Sequence, residues 1–238
     1  MVEKTEQPIY AIVPAAGVGS RMKADLPKQY LKLSGQTILE CTVLKLLSHQ
    51  LIDKVIVAVS QSDPYFATLS IAKHPNVIRV DGGNERADSV LSGLEYLISE
   101  NDKSWALVHD AARPCVSIED IDRLIFEVFE SGRGGILAAP VRDTMKRGNG
   151  HHCIKETVER SDLWHALTPQ MFPAKQLKDS LFKAMQAGVN ITDEASAMEW
   201  SGYLPKLVLG RMDNLKVTQP EDLALAEYYL SKEIKEQL

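Results

Sequence analysis

Apolar positions along this chain switch repeatedly between unbroken runs and stripes spaced three and four apart. Residues 9–13 (Ile9, Tyr10, Ala11, Ile12, Val13) and 54–60 (KVIVAVS) are continuous runs rich in β-branched side chains. Such runs mark strands buried on both faces. Residues 37–49 set Leu39, Val43, Leu46 and Leu47 on one helical face, and residues 86–98 do the same with Val90, Leu91, Leu94 and Leu97. A short strand at 77–80, a buried strand at 105–109, a helix at 118–129 and a strand at 134–140 continue the series. Strands alternating with helices predict a parallel sheet covered by helices on both sides.

Residues 141–167 break the pattern. They are polar and hold Gly148-Asn149-Gly150 between two alternating segments, Thr144-Met145-Lys146 and Cys153 to Val158. That is a hairpin signature, read here as a β-arm that leaves the main sheet; an arm with so little core of its own usually packs on something, often a second copy of the chain. Helices resume at 173–187 and 193–200, a strand follows at 204–209, and a helix closes the chain at 220–232. Pro220, Glu221 and Asp222 suit that helix's first turn. No linker, repeat or low-complexity stretch divides residues 1–238, so one domain carrying an arm is expected.

Composition narrows the function. Apolar residues make up 45% and charged residues 25% of the 238, as in a soluble globular protein. The net charge of -5 argues against general nucleic-acid binding, which needs a basic face. A local basic pocket for a small anion remains open. Cys41, Cys115 and Cys153 lie far apart without a CxxC pair, the usage of a reduced, cytoplasmic protein. No apolar run reaches the roughly 18 residues of a membrane span.

The candidate chemistry starts where the first strand ends, in PAAGVGSRMKADLPK, residues 14–28. Small residues and glycines let the backbone approach a ligand closely. Arg21 and Lys28 add two cations, which together with backbone N–H groups suit a polyphosphate. The loop is neither a Walker A motif nor a dinucleotide fingerprint: Met22 stands where the third glycine belongs, and Ser60-Gln61, not an acid, ends the second strand. A second constellation, Gly82 to Ser89, sets Arg86 and Ser89 in the first turn of a helix. It suits a base edge and a phosphate, or else is a plain helix start capped by Asn84. A third, Val108-His109-Asp110-Ala111-Ala112-Arg113-Pro114, puts an acid at a strand's C-terminal end, where open α/β sheets bind ligands. Asp110 there suits Mg²⁺ or substrate and Arg113 a second phosphate, or the two simply pair with each other. His109 reads as a packed core histidine. The acids of Thr192-Asp193-Glu194 read as helix-dipole partners, and His151-His152-Cys153 as an exposed arm tip, not a metal site.

In this order, PAAGVGSRM, LPKQY, GGNERADSV, VHDAARP, DTMK, LWHALTPQ, TDEASAME and NLKVTQPEDL resemble the 2-C-methyl-D-erythritol 4-phosphate cytidylyltransferase family over nearly the whole chain. The resemblance implies a Rossmann-like nucleotidyltransferase sandwich with a mostly parallel central sheet and a protruding β-arm for dimerisation. It implies transfer of a cytidylyl group from CTP to a polyol phosphate, with Mg²⁺, in a homodimer. Ala15, Ala16, Gly17 and Gly19 would wrap the triphosphate, and Arg21 and Lys28 would stabilise the transition state. Gly83, Asn84, Arg86 and Ser89 would form the cytidine side; Asn84 stands where the family is expected to carry an acid. Asp110, Arg113 and Thr168 would lie between nucleotide and sugar phosphate. Thr144 and Arg160, on the arm, would reach the sugar phosphate of the other subunit, and Lys216 would position it. A ribitol-5-phosphate cytidylyltransferase, a longer hexose-1-phosphate nucleotidyltransferase and a nucleotide-binding regulator without turnover are the competing readings.

Overall fold

The apolar run after Pro8 forms β1 (Ile9–Pro14), and the computed structural model, which describes residues 7–17 and 26–236, places it inside a seven-stranded sheet. Two short strands follow, β2 (Lys32–Leu33) and β3 (Gln36–Thr37), which pair with each other. Helix α1 (Ile38–Leu47) starts at a capping box in which the Thr37 side chain accepts from the Glu40 N–H and Glu40 reaches back. Next come β4 (Ile52–Val59), β5 (Val77–Asp81), α2 (Arg86–Glu100), β6 (Trp105–Val108), α3 (Ile118–Ser131) and β7 (Gly135–Pro140). The arm is a hairpin of β8 (Met145–Gly148) and β9 (Ile154–Val158), closed by a turn in which the Asn149 N–H donates to the Cys153 carbonyl at 3.1 Å. The chain ends with β10 (Trp164–Pro173), α4 (Ala174–Gln186), α5 (Glu194–Trp200), β11 (Lys206–Leu209) and α6 (Pro220–Glu236).

The sheet order is β11-β7-β10-β6-β1-β4-β5, with every pairing parallel except those of β10. Strand β10 corrects the sequence reading, which assigned residues up to Leu167 to the arm. The arm ends earlier, and ten residues from Trp164 return as an antiparallel strand between β6 and β7. His165, Thr168 and Gln170 hid the apolar pattern, and Pro169 cannot donate to a ladder. The structure accommodates it where the pairing with β7 shifts register, between Ala166 and Gln170.

Strand alternation divides the core in two. Ile9, Ala11 and Val13 of β1 face α1 and α3, while Tyr10 and Ile12 face α2, α4 and α5. A smaller apolar cluster joins Leu33, Ile38 and Cys115 to Ala226 of α6. The strand order reverses at β1, which lies between β4 and β6. A crevice at the C-terminal ends of these strands is the favoured ligand position in an open α/β sheet.

Helix α2 lies so close on β1 that a Cβ at Gly93 would come within 2.6 Å of Ile12 Cγ2. Gly93→Val should therefore destabilise the protein by about 1–3 kcal/mol through overpacking, read as a lower urea midpoint at unchanged m-value.

Candidate active site

The crevice is assembled by buried side chains that tie one loop to another. As β1 ends, the Ala15 N–H donates to the Ala58 carbonyl at 2.7 Å. The buried Gln29 amide donates to the carbonyls of Ala15, at 2.7 Å, and Gly17, at 3.1 Å. It thus fastens the chain after residues 18–25 to the chain before them. Lys28, its neighbour, donates from Nζ to the Val217 carbonyl at 3.2 Å. Ala16 meets the second constellation directly: a Cβ at Gly82 would lie 2.6 Å from Ala16 Cβ and 2.9 Å from Ser89 Oγ, so glycine is required for the close approach. The Ser89 hydroxyl is buried; it accepts from the Gly83 N–H at 3.2 Å and donates to the Glu85 carbonyl at 3.3 Å. Asn84 is exposed and is not the cap of α2; that position belongs to Glu85, whose N–H donates to the Asp88 carboxylate at 2.9 Å.

At the end of β6, three cations converge on one carboxylate. Asp110 Oδ1 accepts from Arg86 Nε at 3.1 Å; Oδ2 meets Lys216 Nζ at 2.8 Å and Arg113 Nε at 3.4 Å. Arg86 spends its other two nitrogens on Glu194, at 2.6 and 3.0 Å. Burial pushes the Asp110 carboxyl upward, but Arg86, Lys216 and Arg113 outweigh it and hold the group well below the usual carboxylate range. Burial likewise disfavours the Arg86 charge, and Glu194 and Asp110 more than restore it. Against three cations stand two carboxylates, and the partly exposed side chains are the cations Arg86 and Lys216. The cluster presents positive charge to the crevice and suits an anionic ligand.

Behind it runs a buried hydrogen-bond chain whose polarity can be deduced. His109 Nε2 lies 2.9 Å from the Arg113 carbonyl, which only accepts, so Nε2 carries the proton. His109 Nδ1 then accepts from the Thr168 hydroxyl at 2.9 Å, and Thr168 Oγ1 accepts from the Asp110 N–H at 3.1 Å. Asn214 closes the ring: its Nδ2 donates to the Thr168 carbonyl at 2.7 Å, and its main-chain carbonyl accepts from Arg113 Nη1 at 2.6 Å. The hydroxyl proton of Thr168 is committed to the protein, so this side chain shapes the Asp110 loop.

The structure thus gathers Arg86, Asp110, Arg113, Thr168 and Lys216 into one cluster. It links Ala15, Ala16, Gly17, Lys28, Gly83 and Ser89 through the loops around it. Thr144 and Arg160 lie on the exposed arm, where the Arg160 guanidinium donates to the Arg142 carbonyl. Gly19 and Arg21 lie outside the described residues. Sequence reasoning missed Gln29 and Asn214, and took Glu194 for a helix-dipole partner when it is a buried ligand of Arg86. A signal was present: Glu194, Ala197 and Met198 fall on one helical stripe, which sets the carboxylate on the buried face. A cation at Asp110 fits poorly, because both oxygens are already shared among positive side chains. Among the described residues no group of three or more His, Cys, Asp or Glu side chains is placed to hold a metal, and His151, His152 and Cys153 are exposed. Among the same residues no helix is long and apolar enough to cross a membrane.

Residues 9–232 match the sequence model of the family described as IspD, 2-C-methyl-D-erythritol 4-phosphate cytidylyltransferase. Proteins of that name from Vibrio parahaemolyticus and Vibrio cholerae are 65% and 64% identical, over 94% and 93% of this chain and 95% and 96% of theirs. The solved structure of the Francisella tularensis enzyme superposes with a TM-score of 0.82 at 35% identity, covering 94% of this chain and all of that one. That of the Thermus thermophilus enzyme gives 0.75 at 29%, covering 93% and 98%.

The buried imidazole makes stability depend on pH. Burial pulls the His109 pKa down to about 4, against about 6.5 in an unfolded chain. Between these values the unfolded state binds a proton that the folded state refuses, so stability falls as pH drops from about 6.5 towards 4, by up to about 3 kcal/mol. Urea unfolding at pH 7 and pH 5 should show this loss, and His109→Gln should flatten it.

Proposed function

The chain belongs to the 2-C-methyl-D-erythritol 4-phosphate cytidylyltransferase family, and on that premise we propose that it joins CTP to 2-C-methyl-D-erythritol 4-phosphate, giving 4-diphosphocytidyl-2-C-methyl-D-erythritol and pyrophosphate for non-mevalonate isoprenoid synthesis. The observation that carries this reading is the set of cations around Asp110 at the sheet's switch point, beside a small-residue loop tied down by Gln29.

The reaction brings two anions together. An oxygen of the sugar phosphate attacks the α-phosphorus of CTP in line; the new P–O bond forms as the bond to the β-phosphate oxygen breaks, and pyrophosphate leaves. Such a step needs charge neutralisation and alignment far more than covalent help. Ala15, Ala16, Gly17 and Gly19 line the triphosphate, with Arg21 and Lys28 stabilising charge on the α-phosphate and the leaving group. Gly83, Asn84, Arg86 and Ser89 form the cytidine side. Lys216 and Arg113, steered by Asp110, hold the sugar phosphate, with Thr168 supporting that loop. Thr144 and Arg160 reach the same phosphate from the arm of the partner in a homodimer; the exposure of the hairpin along nearly its whole length supports that role. Mg²⁺, expected with CTP, supplies further neutralisation of phosphate charge. It would be held mainly by the phosphates of CTP and not by Asp110, whose carboxylate is already shared by three cations. A cytoplasmic setting fits the reduced cysteines.

Pyrophosphate release with CTP and Mg²⁺ should be fast with methylerythritol 4-phosphate and slow with ribitol 5-phosphate; the reverse preference would move the chain's acceptor to ribitol phosphate. Lys28→Ala should lower kcat at least ~100-fold, the range seen when a preorganised charge stabiliser is lost. Arg160→Ala should raise KM for the sugar phosphate and leave CTP binding, measured by calorimetry, nearly unchanged.

A further inference from the structure

We propose that Glu194 is a positioning residue for cytidylyl transfer, holding the Arg86 guanidinium so that Asp110 keeps one oxygen for Lys216. The inference rests on the function proposed above. Glu194 is 1% exposed, and an ionised carboxylate so deeply buried is costly unless it is paired. Its two oxygens take Arg86 Nη1 and Nη2, at 2.6 and 3.0 Å, in the planar fork geometry that fixes a guanidinium's orientation. With both Nη atoms drawn towards Glu194, it is Nε that faces Asp110 Oδ1, at 3.1 Å. The second oxygen of Asp110 stays with Lys216 at 2.8 Å and Arg113 at 3.4 Å.

Without Glu194 the same fork is free to grip both oxygens of Asp110 and displace Lys216. The nucleotide side of the crevice, where Arg86 begins α2, and the acceptor side, where Lys216 stands, are therefore set by one carboxylate behind them.

Glu194 is itself held firmly. It opens α5, where the Asp193 side chain accepts from the Ser196 N–H at 2.9 Å. Gln170, on strand β10, donates from Nε2 to Asp193 at 2.9 Å and accepts the Ala195 N–H at 2.9 Å. The arrangement runs from the sheet to Lys216 through Gln170, the start of α5, Arg86 and Asp110. A carboxylate needed only to neutralise a partly exposed arginine would not require this fastening.

The test is a double-mutant cycle on kcat/KM for methylerythritol 4-phosphate, using Glu194→Gln, Lys216→Ala and the double variant, with CTP affinity measured by calorimetry. Glu194→Gln should lower kcat/KM for the acceptor by about 100-fold, the scale of a small misplacement of a reacting group, with a smaller loss of CTP affinity through the released Arg86. In the Lys216→Ala background the same substitution should have little further effect, because its action runs through Lys216. Additive losses, or a loss confined to CTP affinity, would overturn the proposal. If Glu194→Gln does not fold, Glu194→Asp retains the charge and shortens its reach; it should fold and still lose acceptor turnover about 10-fold, and wild-type kinetics in that variant would overturn the proposal equally. A wild-type protein that releases no pyrophosphate at all would defeat the cytidylyltransferase reading itself, an outcome distinct from additive losses in an active enzyme.

Discussion

Asp110 is a single carboxylate, 7% exposed, with Arg86, Arg113 and Lys216 all within 3.4 Å of its oxygens. Placing three cations so close together is tolerable only because a negative charge lies among them and a second, Glu194, stands behind the first arginine. The cations come from the start of α2, the turn after β6 and the loop after β11, segments distant in sequence. Asp110 therefore does two things at once: it draws separate loops into one crevice, and it holds three cations close together there. Polyphosphate chemistry benefits from charges already in place, since little reorganisation is left for the moment of reaction.

Buried amides and an imidazole perform the remaining fastening. Gln29 ties the exit of β1 to the turn that carries Lys28, Gln170 ties β10 to the start of α5, and the Asn214 amide ties its own loop to Thr168 while its main chain takes Arg113. Each is at most 4% exposed. Buried polar groups of this kind are stabilising only when their partners are present, so each specifies one arrangement of loops. The antiparallel strand β10 is central to this: it brings Thr168 and Gln170 between β6 and β7, where one supports Asp110 and the other supports Glu194. The arm lies outside that network. Its hairpin is exposed along nearly its whole length and held by its own ladder and by pairs such as Arg147 with Glu156.

The sequence by itself determined the alternating α/β architecture, because runs such as residues 54–60 can be buried on both faces only in a central strand, and stripes such as Leu39, Val43 and Leu46 only on a packed helix. It also determined the arm, through Gly148-Asn149-Gly150 between alternating segments, and it named the loop residues from Ala15 to Lys28, Arg86, Asp110 and Arg113 as site candidates, the family resemblance adding Lys216. Tertiary structure alone decided how these are joined. The stripe of Glu194, Ala197 and Met198 marks the carboxylate as buried but not its partner; its role exists because α5 sets it opposite Arg86, 108 positions away in the chain. Nor does Thr168-Pro169-Gln170 read as a strand, since a proline and two polar side chains mask the pattern, and only pairing with β6 and β7 makes it one. The physical reason is the same in both cases. Period and composition report which faces are buried, whereas the pairing of buried charges depends on which distant segments the sheet order brings together.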